Sequence, residues 1–143
     1  MNLNQVTLPA TDVTRSAAFY RSLGFTQIVA NLPSYVRFEC PDGGATFSLH
    51  QVDAVAAGSD FVVYFECAEL DATCAALAAR GIRFDSMPAD QRWLWREARL
   101  RDPDGNVICL YHAGRNRRFP PWRLEPAATE DQPAPASKTA AAS

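Results

Sequence analysis

A chain of 143 residues, 48% of them hydrophobic and 21% charged, is long enough for one core or two small modules sharing one. Its net charge of −2 excludes the basic excess of a general nucleic-acid binder. No apolar run approaches the roughly 20 residues of a membrane span, and the first residues lack the basic and apolar blocks of a secretory signal, so the expected address is the cytoplasm.

Residues 3–9 read as a first strand, with Val6 and Leu8 on one face and Gln5 and Thr7 on the other. A helix follows to residue 23. Thr11 and Asp12 are its candidate caps, Gly24 suits a left-handed terminus, and Val13, Ala17 and Tyr20 form its inner stripe. Three strands are expected at 26–30, 35–40 and 45–50, the last two joined by the turn Pro41-Asp42-Gly43-Gly44.

After a small polar linker at 52–59 the plan repeats. Residues 60–67 form a strand and 69–80 a helix, with Leu70, Cys74 and Leu77 on one stripe and Gly81 closing it. Strands at 82–86, 94–101 and 106–112 follow, the last reached through Asp102-Pro103-Asp104-Gly105. A break in alternation between Leu94 and Ala98 predicts a bulge there. Gly24 and Gly81 stand 57 residues apart, and Pro41 and Pro103 stand 62 apart, which suggests a duplicated unit.

The organisation is therefore a first βαβββ module at 1–51, the linker at 52–59 and a second module at 60–112. A basic arm at 113–125 carries Pro120-Pro121-Trp122 and is expected to be extended. A low-complexity tail at 126–143 is expected to be disordered. Each module leaves one sheet face uncovered by its helix. Pairing two modules, within or between chains, curves those faces into a cup-shaped mixed α+β sheet with helices outside. Cys40, Cys67, Cys74 and Cys109 show no metal or redox spacing and are expected to be free thiols.

Alternation also predicts what lines the cup. Val36, Phe38, Phe47, Leu49, Val63 and Phe65 belong to the core. The opposite face receives Tyr35, Arg37, Glu39, Ser48, His50, Val62, Tyr64, Glu66, Glu97, Arg99, Cys109 and Tyr111, with Trp93 or Trp95 at its rim. One reading makes the charged members a self-satisfied network. The other makes Gln5, Arg37, Tyr64, Trp95, Glu97, Arg99 and Tyr111 a ligand pocket in which arginine meets a carboxylate or phosphate. His50, with Glu66 or Glu97 as partner, is the candidate for proton transfer.

The segment Thr11-Asp12-Val13-Thr14-Arg15-Ser16-Ala17-Ala18-Phe19-Tyr20-Arg21-Ser22-Leu23-Gly24-Phe25 and the hairpin Arg101-Asp102-Pro103-Asp104-Gly105-Asn106, with Leu110, resemble the vicinal-oxygen-chelate superfamily. That superfamily comprises glyoxalases, bleomycin-resistance proteins and extradiol dioxygenases. The resemblance implies paired βαβββ modules. In metal-using members it also implies four ligands, which fall here on Gln5, Ser48, Val62 and Cys109. Valine cannot ligate and serine seldom does, so no metal or other cofactor is expected; a divalent ion, if held, would use Gln5, His50 and Cys109. The leading expectation is a metal-free binder of a small organic molecule, sequestering it or acting on it by acid–base chemistry. The alternatives are a metal-dependent lyase, isomerase or dioxygenase with shifted ligands, and an interaction module using the arginine-rich arm. A homodimer is expected, with neither nucleic acid nor membrane as partner.

Overall fold

Strand, helix and three strands follow one another twice in the computed structural model, which describes residues 1–125; the tail at 126–143 lies outside the described residues. The first half is β1 (Gln5–Ala10), α1 (Val13–Ser22), β2 (Thr26–Asn31), β3 (Tyr35–Glu39) and β4 (Thr46–Gln51). The second is β5 (Val62–Glu66), α2 (Leu70–Ala79), β6 (Phe84–Asp90), β7 (Arg96–Arg101) and β8 (Val107–His112). The sheets are ordered β1-β4-β3-β2 and β5-β8-β7-β6. In each the first strand pairs in parallel with the last, Gln5 opposite Thr46 and Val62 opposite Val107, while the other pairings are antiparallel.

Local chemistry sets the helix limits. Asp12 caps α1 by accepting from the Arg15 N–H at 3.0 Å, and Gly24 follows its end at φ 102°, a conformation costly for any residue with a Cβ. The stripes expected from spacing are buried: Val13, Ala17 and Tyr20 on α1, and Leu70, Cys74 and Leu77 on α2.

Three expectations need correction. The strand expected at 94–101 begins only at Arg96. Trp93 and Leu94 sit in a turn closed by the Gln91 N–H donating to the Trp95 carbonyl at 2.7 Å, with Leu94 itself at φ 68°. The irregularity predicted there lies instead in β6, whose register slips between Phe84 and Ser86 and again between Ser86 and Ala89, the second around Pro88, which has no N–H to give the ladder. The basic arm, expected to be extended, opens with a 3-10 helix at Gly114–Arg117. Beyond it the guanidinium groups of Arg115, Arg118 and Arg123 gather over the Phe119 ring at 4.5–5.6 Å.

The helix-facing sides of both halves meet in one core. Leu8, Val36, Phe38, Phe47 and Leu49 pack in the same cluster as Ala98, Leu100, Ile108 and Leu110. Phe47 is its hub, with ring centroids 4.8 Å from Tyr20, 4.9 Å from Phe25, 5.0 Å from Phe38 and 5.6 Å from Phe65 of the second half.

Polar contacts fasten the halves as well. Asp102, only 5% exposed, accepts from the Tyr20 hydroxyl and the Asn106 side chain at 2.8 Å, and from the Asp104 and Asn106 N–H groups at 2.9 Å. Asp104 reaches the start of α1, taking the Thr11 N–H and the Ser16 hydroxyl at 3.0 Å each, the Thr11 hydroxyl as well, with Arg15 at 3.6 Å. Asn106 donates to the Pro9 carbonyl at 3.0 Å. Burial alone would push the Asp104 carboxyl up, but the bonds from Thr11 and Ser16 and the charge of Arg15 together hold it below its ordinary 3.8.

A carboxyl depressed on folding contributes stability above its ordinary pKa and loses it as pH falls through the lower, folded value. Urea unfolding of the wild type and Asp104→Asn should therefore differ fully at pH 7, and the gap should close as pH drops below 3.8. A gap that persists unchanged into acid would refute this role.

Candidate functional site

With both helix-facing sides committed to the core, the opposite sheet faces carry the polar side chains. On the first face Ser48, fully buried, is the junction. It accepts from the Gln5 amide at 2.7 Å and shares a 2.6 Å hydrogen bond with the Tyr35 hydroxyl, while Thr46 holds the other end of Gln5. The Arg37 Nε–H donates to the Tyr35 hydroxyl at 3.0 Å. Its bond with Ser48 draws the Tyr35 phenol below the usual tyrosine value; burial opposes this, and Arg37 adds to it. No carboxylate pairs with Arg37 among the described residues.

The second face is aromatic beside an ion pair of which Glu97 is the buried member and Arg99 the partly exposed one. Trp95 stacks on Tyr111 at 4.7 Å, and Tyr64 meets both rings edge-on at 6.0 and 5.7 Å. Glu97, 5% exposed, accepts from the Trp93 indole at 2.7 Å and from Arg99 at 3.2 Å. Burial pushes the Cys109 thiol up to about 12, and the negative charge of Glu97 adds to the effect. At neutral pH Cys109 is therefore a protonated thiol and a poor nucleophile.

The expected residues thus separate into two sets. Gln5 and Arg37 join through Ser48 and Tyr35; Tyr64, Trp95, Glu97, Arg99 and Tyr111 cluster on the other sheet. Gln5 and Tyr64 also line one cleft between β1 and β5, so the faces adjoin within the chain. Of the mutual network allowed for Arg37, Glu39, Glu66, Glu97 and Arg99, only the Glu97–Arg99 pair forms.

His50 and Glu66 are not brought into contact. His50 is exposed and its side chain makes no hydrogen bond among the described residues. Glu66 accepts the N–H groups of Ala113 and Gly114 at 3.0 and 2.8 Å, capping the 3-10 helix, and lies 3.7 Å from Arg117. The metal positions do not fit an ion. Gln5 and Ser48 are bonded to each other, and Val62 has no donor, which leaves Cys109 as a single soft ligand. Among the described residues no three His, Cys, Asp or Glu side chains group as a metal cage.

The sequence reading placed Tyr35 on the cup face and Trp93 as an alternative to Trp95 at its rim, but counted neither among the ligand-binding residues. Tyr35 links Ser48 to Arg37, and its place two residues before Arg37 on one strand face was the available signal. Trp93 reaches Glu97 only because the β6–β7 turn folds back, and nothing local in the sequence signals that.

Paired βαβββ halves around a shared core, with the opposite sheet faces left open, define the fold class. A family model for the Glyoxalase/Bleomycin resistance protein/Dioxygenase superfamily matches residues 2–110, and the chain belongs to that superfamily. Among solved structures, a glyoxalase/bleomycin resistance protein/dioxygenase from Nocardioides is 28% identical, with a TM-score of 0.66 over 79% of this chain and 83% of its own. A bleomycin-binding protein complexed with bleomycin is 22% identical, with a TM-score of 0.67 over 78% and 98%. YraH of Bacillus subtilis (strain 168) is 29% identical over 127 residues, 78% of this chain and 98% of that protein.

Proposed function

We propose that the chain binds a small organic anion with an aromatic part, without a metal, in a cup formed by the two open sheet faces. The observation that carries this reading is Arg37, a half-buried guanidinium that faces a phenol and meets no carboxylate among the described residues. A cation so placed is stabilised by a ligand carboxylate, and Arg is the residue type suited to a two-point grip on one. The stacked Trp95–Tyr111 pair and Tyr64 offer a wall for the aromatic part, with Arg99 beside them. Gln5 and the Ser48–Tyr35 pair supply polar contacts that fix orientation. A relative of this fold crystallised with bleomycin gives a precedent for holding a whole organic molecule.

In this reading His50 remains a proton-transfer candidate at the rim, and Glu66 serves chiefly to hold the 3-10 helix. The working unit is a homodimer, in which a second copy covers the exposed Ile28, Val29 and Leu32 in and just after β2; a monomer mass at all concentrations in light scattering would exclude it.

Calorimetric titration of 2-naphthoate tests the anion site. Arg37→Ala should weaken binding by about 1.5–3 kcal/mol, roughly ten- to a hundredfold, the worth of a hydrogen bond to a charged group. The far-UV spectrum should not change. Equal affinity in the variant would remove Arg37 from the site.

A further inference from the structure

The duplication is imperfect at one place, and a cleft opens there. In the second half the turn carrying Asp102, Asp104 and Asn106 docks on the first turns of α1 through Thr11, Ser16 and Tyr20. The 57-residue offset carries Thr11, Ser16 and Tyr20 to Ala68, Thr73 and Leu77; the 62-residue offset carries Asp102, Asp104 and Asn106 to Cys40, Asp42 and Gly44. A hydroxyl, a phenol, a carboxylate and an amide are thereby lost. The turn of the first half makes no matching hydrogen bonds to α2 among the described residues, and a cleft of about 790 Å³ lies between them, lined by Cys40, Asp42, Ala68, Thr73 and Leu77 themselves.

Its floor is apolar, with Phe25, Phe47, Phe65 and Leu110 contributing. Three carboxylates line it, Asp42, Glu66 and Glu69, and no Lys, Arg or His does. Glu66 is spent on the Ala113 and Gly114 N–H groups and on Arg117. Asp42 and Glu69 have no ion-pair partner among the described residues, and Glu69 makes no capping bond to α2. The N-terminus of α2 also faces the cleft, and by itself would favour an anion. Its effect is equivalent to about half a positive charge, whereas the two unpaired carboxylates bring two negative ones, so the net field selects a cation.

We infer that this cleft, which borders the cup at Gln5 and Tyr64, holds at its α2 end a second binding site, for a hydrophobic cation: an ammonium or amidinium group on an aromatic or branched aliphatic body. The body lies on the phenylalanine floor and the charge sits between Asp42 and Glu69. The two sites take ligands of opposite sign.

Calorimetric titration of the full chain with protonated 2-naphthylmethylamine, beside neutral 2-naphthalenemethanol, tests this. The ammonium should bind about tenfold or more tightly than the alcohol, as a charge pair near a protein surface allows. Asp42→Asn combined with Glu69→Gln should erase that preference while the alcohol binds as before. Thr73→Trp, which fills the cleft from the α2 side, should abolish binding of both probes. Asp53→Asn, an exposed carboxylate outside the cleft, should change nothing. The melting temperature of each variant reports that it is folded. Alcohol binding as tight as the ammonium, a preference that survives the double variant, an equal loss in Asp53→Asn, or no saturable binding of the ammonium would each overturn the site. Titration of 2-naphthoate in the same variants should be unaffected, which keeps failure of this cleft distinct from failure of the cup.

Discussion

Asp102→Ala is expected to lose about 3–5 kcal/mol of stability, the penalty for breaking a buried charged network from one side. Four donors converge on this carboxylate, and two of them, the Tyr20 hydroxyl and the Asn106 amide, tie the β7–β8 turn to α1 and to its own loop. Tyr20 is fully buried, so its hydroxyl has no water to turn to when Asp102 is removed. Burial and the neighbouring Asp102 charge push the Tyr20 pKa far up, so the phenol stays protonated and a donor at every working pH. The counterpart of Asp104 in the first half, Asp42, is exposed and makes no such network. Asp42→Ala should therefore stay within about 0.5 kcal/mol of wild type. Urea unfolding of both variants decides the matter. Equal small losses would mean that the latch contributes little and that the shared core alone joins the halves.

Phe47→Ala is the second large effect, at about 3–5 kcal/mol. The side chain is 2% exposed and contacts four other rings, one of them in the second half. Deleting it leaves a void that Tyr20, Phe25, Phe38 and Phe65 cannot collapse into without breaking the contacts of Tyr20 with Phe25 and Phe38 and of Phe25 with Phe65. Phe61, 56% exposed, is the comparison, and its alanine variant should lose much less. Because Phe47 touches Phe65 across the halves, the loss should be one cooperative transition; separate melting of two halves would show that they do not share a core.

The two-module plan was legible because the signals behind it are local. Gly24 and Gly81 end their helices at positive φ in both copies, and the buried stripes of α1 and α2 follow from spacing alone. Strand alternation also separated core from open face, placing Phe38 and Leu49 inside and Arg37 on the other side. What the sequence left open was set by non-local contact. Glu66 stood in line with Tyr64 and Val62 and read as a pocket member, yet its carboxylate is claimed by N–H groups 47 and 48 residues later. The β6–β7 hairpin depends on Leu94 adopting a left-handed conformation that no propensity favours. The cleft at α2 is a middle case. Its cause, the replacement of Tyr20 by Leu77 and Asp102 by Cys40 at the repeat offsets, is written in the sequence, but only the latch of the other half shows what those residues would have done.

The most direct test of a metal-free anion cup is calorimetric titration of 2-naphthoate into EDTA-treated protein, repeated after dialysis against zinc, nickel, manganese and iron(II) with metal content measured in each sample. A cup built on Arg37 and the Trp95–Tyr111 wall predicts the same saturable binding in every sample and no stoichiometric metal. Binding that appears only once a metal is restored, with that metal near one per chain and lost in His50→Ala, would contradict it.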